Sequence, residues 1–459
     1  LIENNTIQTA GTSSVGIILR TGNDNINITS NRINTTGVTA DGIDLSTNVV
    51  KANISFNTIN TNGSSSYGIS AFSSANSNYF EYNNITNTGT SGRGIYLANT
   101  ADNHNITGNI INVNVGAGYG MYILTSNNII KANRIYSSAD YSIRIRTAVF
   151  NNTIDGNYIE NNLTNGLVIA LDSNSTTLKN NIINVSVNLN VGGIYVNAPD
   201  NVIIYNNTIF TTTGYPIQIQ ISNVNITKNI INTTNSHGIL LNSNVNNTFI
   251  EQNYIEVSSS STVRYGVYIT GNCYNNTLLN NTIKQTGTGT INRAVVLATS
   301  AKNNIIENNS ITTVTANSQG IMILGTCSNN IIRGNSINTT ASTGIYLEDN
   351  NHLVELNYIN SSSNTGINLL GNNSIIRKNT IYAPFAGIVT NIEKEVGESA
   401  SLGERVISVL GKEKLEIVLQ VSELDVSRLV PGSSIKIALD AFPGEEFFGT
   451  LKTINSRET

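Results

Sequence analysis

The chain is predicted to be all-β, a parallel β-helix of stacked coils, on three observations. The first is a recurring Asn-x-Ile triplet, whose asparagine falls at sixteen positions from Asn5 to Asn379. Successive asparagines are 22, 24, 26 or 28 residues apart, a period that belongs to repeat architectures. The second is a large apolar residue three places before the asparagine, such as Ile28, Phe80, Ile130 and Ile226. The third is a Gly-Ile-x-Leu motif between triplets, as in Gly42–Leu45, Gly94–Leu97 and Gly344–Leu347. Its apolar positions are two apart, the period of a strand with one buried face, and no helical 3.6-residue pattern persists anywhere.

Each element of the repeat follows from that spacing. The apolar residue before the asparagine, the isoleucine after it and the Gly-Ile-x-Leu pair mark two or three short strands per coil, separated by Asn, Ser, Thr and Gly turns. One repeat cannot bury its isoleucines alone, whereas stacked repeats share a continuous core. About fifteen coils at about 4.8 Å each give a rod roughly 70 Å long. The asparagine is expected to stack on its equivalents and bond along the rod, because its amide both donates and accepts. It is also expected to supply the left-handed backbone of the turn.

Composition bounds the partners. Net charge is −4 and the basic residues do not cluster, so a nucleic acid or an anionic membrane surface is not expected as partner. No apolar run has the length of a membrane span. Residue Leu1 falls inside a repeat, so any export signal is expected upstream of it. Cys273 and Cys327 occupy equivalent places two coils apart, with Ala301 between them, and at about 10 Å are too far apart to bridge. They are expected to be buried free thiols. His104, His237 and His352 lie in distant coils without metal-site spacing, and neither a metal nor a cofactor is expected.

A domain boundary falls at residue 382. Eight of the 25 Lys and Arg and twelve of the 29 Asp and Glu lie from Ala383 onward, while asparagine falls there to Asn391 and Asn455. The organisation expected is 1–382 β-helix, 383–411 a first tail segment and 412–459 a second. Residues 1–382, through their Asn-Asn-x-Ile and Gly-Ile-x-Leu texture, resemble the right-handed parallel β-helix repeat proteins. That class includes pectin lyases, periplasmic NosD-type proteins and adhesin-like surface proteins. The resemblance implies a fold, since the repeated residues build a core and do no chemistry.

The tail carries a different resemblance, through Thr380-Ile-Tyr-Ala-Pro-Phe-Ala-Gly-Ile-Val389, Val396-Gly397-Glu398, Val406-Ile407 and Leu415-Glu416-Ile417-Val418. These are similar to the second half of the lipoyl-like domain in periplasmic adaptor (membrane fusion) proteins. Val421-Ser-Glu-Leu-Asp425 with Pro431-Gly432 then resembles the opening of that family's β-barrel. The family's first half-lipoyl segment and helical hairpin have no counterpart, and the barrel pattern stops at Thr459 after its early strands. The domain implied is small, lipoyl-like and barrel-like, and incomplete. The resemblance implies an envelope transporter as partner of 383–459.

Two candidate sites arise from the residues themselves. Tyrosine fills the outward place of Gly-Ile-x-Leu in five coils, at Tyr96, Tyr122, Tyr195, Tyr268 and Tyr346. Projecting from one sheet, they could hold a glycan or a surface protein, although tyrosine is also simply a good strand residue. The most charged stretch, around Arg144 and Arg146, flanks inward Ile145 and points outward, toward Asp155 or Asp172 of neighbouring strands. It is a candidate for the base and acid of a polysaccharide lyase or hydrolase, against the plainer reading of a solvated ion-pair patch. Coil lengths vary by only six residues, which leaves little material for the walls of a catalytic groove. Sequons such as Asn27-Ile-Thr, Asn84-Ile-Thr and Asn225-Ile-Thr fit an exported glycoprotein, and an Asn- and Thr-rich repeat also makes such triplets by chance. The expectation is therefore a non-enzymatic, exported scaffold or adhesin-like protein at the cell surface or in the periplasm. A polysaccharide-processing enzyme and a piece of an envelope transport adaptor are the alternatives.

Overall fold

The computed structural model describes residues 1–382 apart from 115, 147, 163–166, 187–191, 198–200, 261–262, 290 and 363–364, together with 387–393, 407–411, 429–437 and 446–453 of the tail. Residues 1–382 coil through three parallel sheets of 16, 16 and 15 strands, called A, B and C in the order the chain meets them. One coil runs, for example, through Asn53–Ser55 in A, Thr58–Thr61 in B and Tyr67–Ala71 in C. Each strand pairs in register with its equivalents one coil before and one coil after. Ile111 lies beside Ile135 and Ile135 beside Ile159, as the repeat demands.

Alternation within these short strands sends one isoleucine per strand inward. Ile28 from A, Ile33 from B, and Ile43 and Leu45 from C are all fully buried, as are their equivalents up to Leu347, Val354 and Ile359, whereas Ile376 and Ile381 of the last coil are exposed. Burying such a side chain contributes about 1.5–3 kcal/mol, and the columns make one continuous core. The glycine of Gly-Ile-x-Leu is set by close approach. A Cβ on Gly94 would stand 2.4 Å from Cγ2 of Ile111 and 2.5 Å from the carbonyl oxygen of Gly120. Cys273 and Cys327 are free and buried, and burial pushes both thiols up to about 11.

The anchor asparagines form a hydrogen-bonded ladder inside the A–B turn. Asn157 shows the pattern. Its Oδ1 accepts from the backbone N–H of Asn133 at 2.8 Å and from the amide of Asn133 at 2.9 Å. Its own amide donates to the carbonyl of Ile130 and to Oδ1 of Asn181, both at 2.9 Å. The left-handed residue is not the anchor, contrary to the sequence expectation. It is the residue just before it in all sixteen turns, including Phe56, Tyr82 and Leu356. The anchor needs ordinary backbone angles to aim its amide along the rod, so the reversal is made one residue earlier.

A second inner ladder, at the C–A corner, admits histidine in place of asparagine. The N–H of Asn78 donates to Nδ1 of His104 at 3.3 Å, and the N–H of His104 to Oδ1 of Asn128 at 2.9 Å. His352 repeats the arrangement, accepting from Asn330. Burial pushes His104 down to about 4 and also lowers His352, with Asp349 opposing. The sign follows directly. The unfolded chain takes up a proton below about pH 6.5 and the folded site refuses it, so this stabilisation is complete above pH 6.5 and is lost as pH falls toward 4. For His104 the loss is about 3 kcal/mol. His104→Asn should remove that part of the acid sensitivity. Its stability relative to the parent should improve between pH 7 and pH 4.5, and an unchanged difference would contradict a buried neutral imidazole.

The tail divides from the solenoid as a separate unit. Its described residues form two antiparallel pairs, Gly387–Ile392 with Ile407–Gly411 and Ser434–Ile437 with Phe447–Thr450. A lipoyl-like fold is not shown by them. Many of the motif residues that carry the adaptor resemblance, including Ala383–Ala386, Val396–Glu398 and 412–428, lie outside the described residues. Among the described residues no helix is long and apolar enough to cross a membrane.

Candidate functional site on the outer face of sheet C

The register of sheet C gathers the five tyrosines into one outward column. Tyr96 pairs with Tyr122 and Tyr122 with Arg144. The column then runs through Ala170, Tyr195, Gln218, Leu240, Tyr268, Val296 and Met322 to Tyr346. A second column stands beside it, three residues earlier in each strand. Tyr67, Arg93, Tyr119 and Tyr141 succeed one another there, and Tyr265 and Arg293 continue it further along.

The two columns interlock around Arg93. Its guanidinium carbon lies 4.2 Å from the ring centre of Tyr96, 4.7 Å from Tyr122, 4.9 Å from Tyr67 and 5.4 Å from Tyr119. The rings stack on one another along the rod. Tyr96 and Tyr122 are 5.5 Å apart and 8° from parallel, and Tyr119 and Tyr141 are 5.2 Å apart at 7°. The rings thus spend their faces on each other and on Arg93. Tyr122 is only 8% exposed. Each cation–π contact contributes about 0.5–2 kcal/mol, so stacking holds the Arg93 side chain in place.

Arg144 and Arg146 join this group from the coil after Tyr122. Arg144 stacks on Tyr141 at 4.5 Å and reaches Oδ2 of Asp172 at 3.3 Å, while Nη1 of Arg146 donates to the Tyr122 hydroxyl at 3.2 Å. Asp155 is not brought here. It lies on sheet A between Lys131 and Lys179 in the pairing, 3.7 Å from the Lys179 amine. Tyr195 donates its hydroxyl to Gln220 at 2.9 Å, and Gln218 beside it is 7% exposed with its side-chain oxygen buried and unbonded. Tyr268 and Tyr346 pack on a small outer apolar cluster of Val296, Ala298 and Met322. Nearby, His237 is sandwiched between Tyr215 and Tyr265 and accepts the Tyr265 N–H at 2.9 Å. Burial pushes His237 down to about 4, and Arg264 adds to the effect.

One acidic pair completes the face. Asp41 accepts the Tyr67 N–H at 2.8 Å and the Ser70 hydroxyl at 2.8 Å, and Ser70 also lies 3.2 Å from Asp44. Burial pushes the Asp41 carboxyl up to about 7 and raises Asp44, against these hydrogen bonds. Sequence reasoning missed Asp41, Tyr67, Arg93 and Tyr119. Their common signal is the place just before the glycine of each sheet C motif, at Gly42, Gly68, Gly94 and Gly120.

Three successive stretches, 52–189, 182–283 and 264–383, match the family model for the right-handed beta helix region. The chain belongs to the right-handed β-helix family. This β-helix is similar in fold to the A-module of mannuronan C-5 epimerase AlgE6 from Azotobacter vinelandii, with 14% identity and a TM-score of 0.50 over 76% of this chain and 91% of that one. The AlgE4 A-module of the same organism gives 13% identity and a TM-score of 0.43 over 75% and 91%. Vag8, solved in complex with C1 inhibitor, gives 11% and 0.46 over 83% and 100%. At these identities the likeness is one of fold alone. A search of curated protein sequences found no match to this chain.

Proposed function

We propose that this β-helix is a non-enzymatic, exported scaffold at the cell surface whose sheet C face binds a glycan or a surface protein. The observation that carries the reading is Arg93, a guanidinium held among four tyrosine rings with its Nε buried and unbonded. An arginine fixed by stacking keeps its donors ordered before a partner arrives, so little side-chain entropy is lost on binding. The tyrosine hydroxyl rims beside it add donors and acceptors along the rod. The strands of sheet C contain no lysine, so the cationic groups they carry are all of the planar kind. The sequons at Asn27, Asn84 and Asn225 fit export with glycosylation.

The test is a glycan array and a surface-protein binding screen on the intact chain, repeated with Arg93→Ala, Tyr96→Ala and Tyr268→Ala. Binding should fall about tenfold or more in Arg93→Ala with the far-ultraviolet spectrum unchanged. Ligand binding that survives all three substitutions would contradict the reading.

A second reading, a polysaccharide lyase or hydrolase, is favoured by Asp41, whose carboxyl is poised near neutrality close to Arg93. Release of uronate or oligosaccharide products, lost in Asp41→Asn or Arg144→Ala, would select it. The adaptor resemblance of 383–459 supports a further role in an envelope transport assembly, and co-purification of a membrane transporter that depends on those residues would select that role instead.

A further inference from the structure

The outer face of sheet B carries a notch beside two short B–C corners. The inward residues Thr211 and Ile217 are six residues apart across the B–C corner, as are Thr233 and Ile239. In the flanking coils Val185 and Ile194 are nine apart, and Val257 and Val267 ten. An open cavity of about 370 Å³ lies beside the two short corners, lined by Asn184, Phe210, Asn232, Thr234, Glu256 and Ser258 among others.

The side chains in the notch differ in kind from those of sheet C. Phe210 stands in an outward column between Asn184 and Asn232, is 42% exposed, and has no aromatic partner among the described residues. Its ring is thus partly exposed and unstacked, where the faces of Tyr96 and Tyr122 are taken. Asn232, one coil along, makes no side-chain hydrogen bond among the described residues, so its amide offers both a donor and an acceptor. Glu256, the next in the column, is fixed by the hydroxyls of Tyr254 at 2.6 Å and Thr286 at 3.1 Å. A partly exposed, unstacked ring flanked by an uncommitted amide and an oriented carboxylate matches what a pyranose presents: an apolar C–H face and hydroxyls around its rim.

The geometry points to a binding site for a neutral hexopyranose in this notch, separate from the sheet C face, with the sugar ring on Phe210 and its hydroxyls on Asn232 and Glu256. The Glu256 carboxylate discriminates against uronates, and Lys284, next after it in the column, lies over the Tyr254 ring at 5.2 Å. The same chemistry recognises a free sugar and the terminal sugar of a glycan, so both forms enter the test.

The chain contains no tryptophan, so Phe210→Trp in the intact chain places a single indole fluorophore at the site. It is titrated with the methyl glycosides of glucose, galactose and mannose, with oligosaccharides ending in the same sugars, and with methyl glucuronate as the acidic control. A saturable emission change is expected with at least one neutral glycoside and none with glucuronate. A response to the glycoside marks a site for the sugar itself, and a response only to the oligosaccharide marks a glycan-end site. Asn232→Ala in this background should weaken binding about tenfold, the loss of one directed hydrogen bond. Tyr96→Ala and Tyr268→Ala should leave it unchanged, which separates this site from the sheet C face. The unsubstituted chain should show saturation-transfer NMR signals with the same sugars, lost in Phe210→Ala. No response to any neutral probe in either assay, an equal response to glucuronate, or full binding in Phe210→Ala would overturn the assignment.

Discussion

Ile231→Asp should open the β-helix locally while leaving the distant coils folded. Ile231 is fully buried and sits in register between Ile209 and Ile255. A carboxylate placed there meets only isoleucine above and below, with no cation or donor to receive it. Burying an unpaired charge is among the few mechanisms that cost more than about 4–5 kcal/mol. In a solenoid each coil contacts only its neighbours, so the damage stays near the lesion. New proteolytic cuts should appear between about residues 207 and 255, and the melting transition should fall and broaden. The adjacent Ile230→Asp is the control. Ile230 is 46% exposed on the outer face, and its replacement should change stability by no more than about 0.5 kcal/mol. If Ile231→Asp and the parent melted together, the inward assignment would be wrong.

Asn157→Ala should cost nearly as much, for a different reason. The substitution removes the acceptor of two hydrogen bonds from Asn133 and the donor of the bonds to Ile130 and Asn181. The partners stay buried in the turn, where water does not reach them. Each orphaned buried polar group costs about 1–3 kcal/mol, so a total of about 3–5 kcal/mol is expected. Hydrogen exchange should show the amide of Asn133 losing protection by several orders of magnitude, with amides six coils away, such as that of Asn309, unchanged. Equal protection in the variant and the parent would mean that the ladder is not a source of stability.

The sequence disclosed the solenoid because stacking forces the same residue into the same place. An amide that bonds to its own copy must recur, and a column such as Ile111, Ile135 and Ile159 must stay apolar. The left-handed turn residue was not legible. It needs only to be exposed and to carry the strain, so the position accepts Phe56, Gln252 and Leu356 as readily as Gly108. Half of the sheet C site was legible. Strand alternation counted outward from Ile95 finds Tyr96, and the same count assigns Arg93 to the core. The chain instead turns at Gly94, where the missing Cβ lets Ile111 fill the space, and Arg93 swings out among the tyrosines. Asp155 was misassigned because two neighbouring charged stretches in sequence fall on different sheets.

The measurement that bears most directly on the stack is the distance between spin labels along one outward column. Thr58 and Thr208 lie six coils apart on the outer face of sheet B, and Thr58 and Ser310 ten coils apart. Labels attached to cysteines at these sites, with Cys273 and Cys327 replaced by alanine as Ala301 already stands between them, should give narrow distributions near about 29 Å and about 48 Å. Those values rise by the same step per coil whether the coil holds 22 residues or 28. Broad distributions, or a ten-coil distance no longer than the six-coil one, would contradict a chain stacked in register.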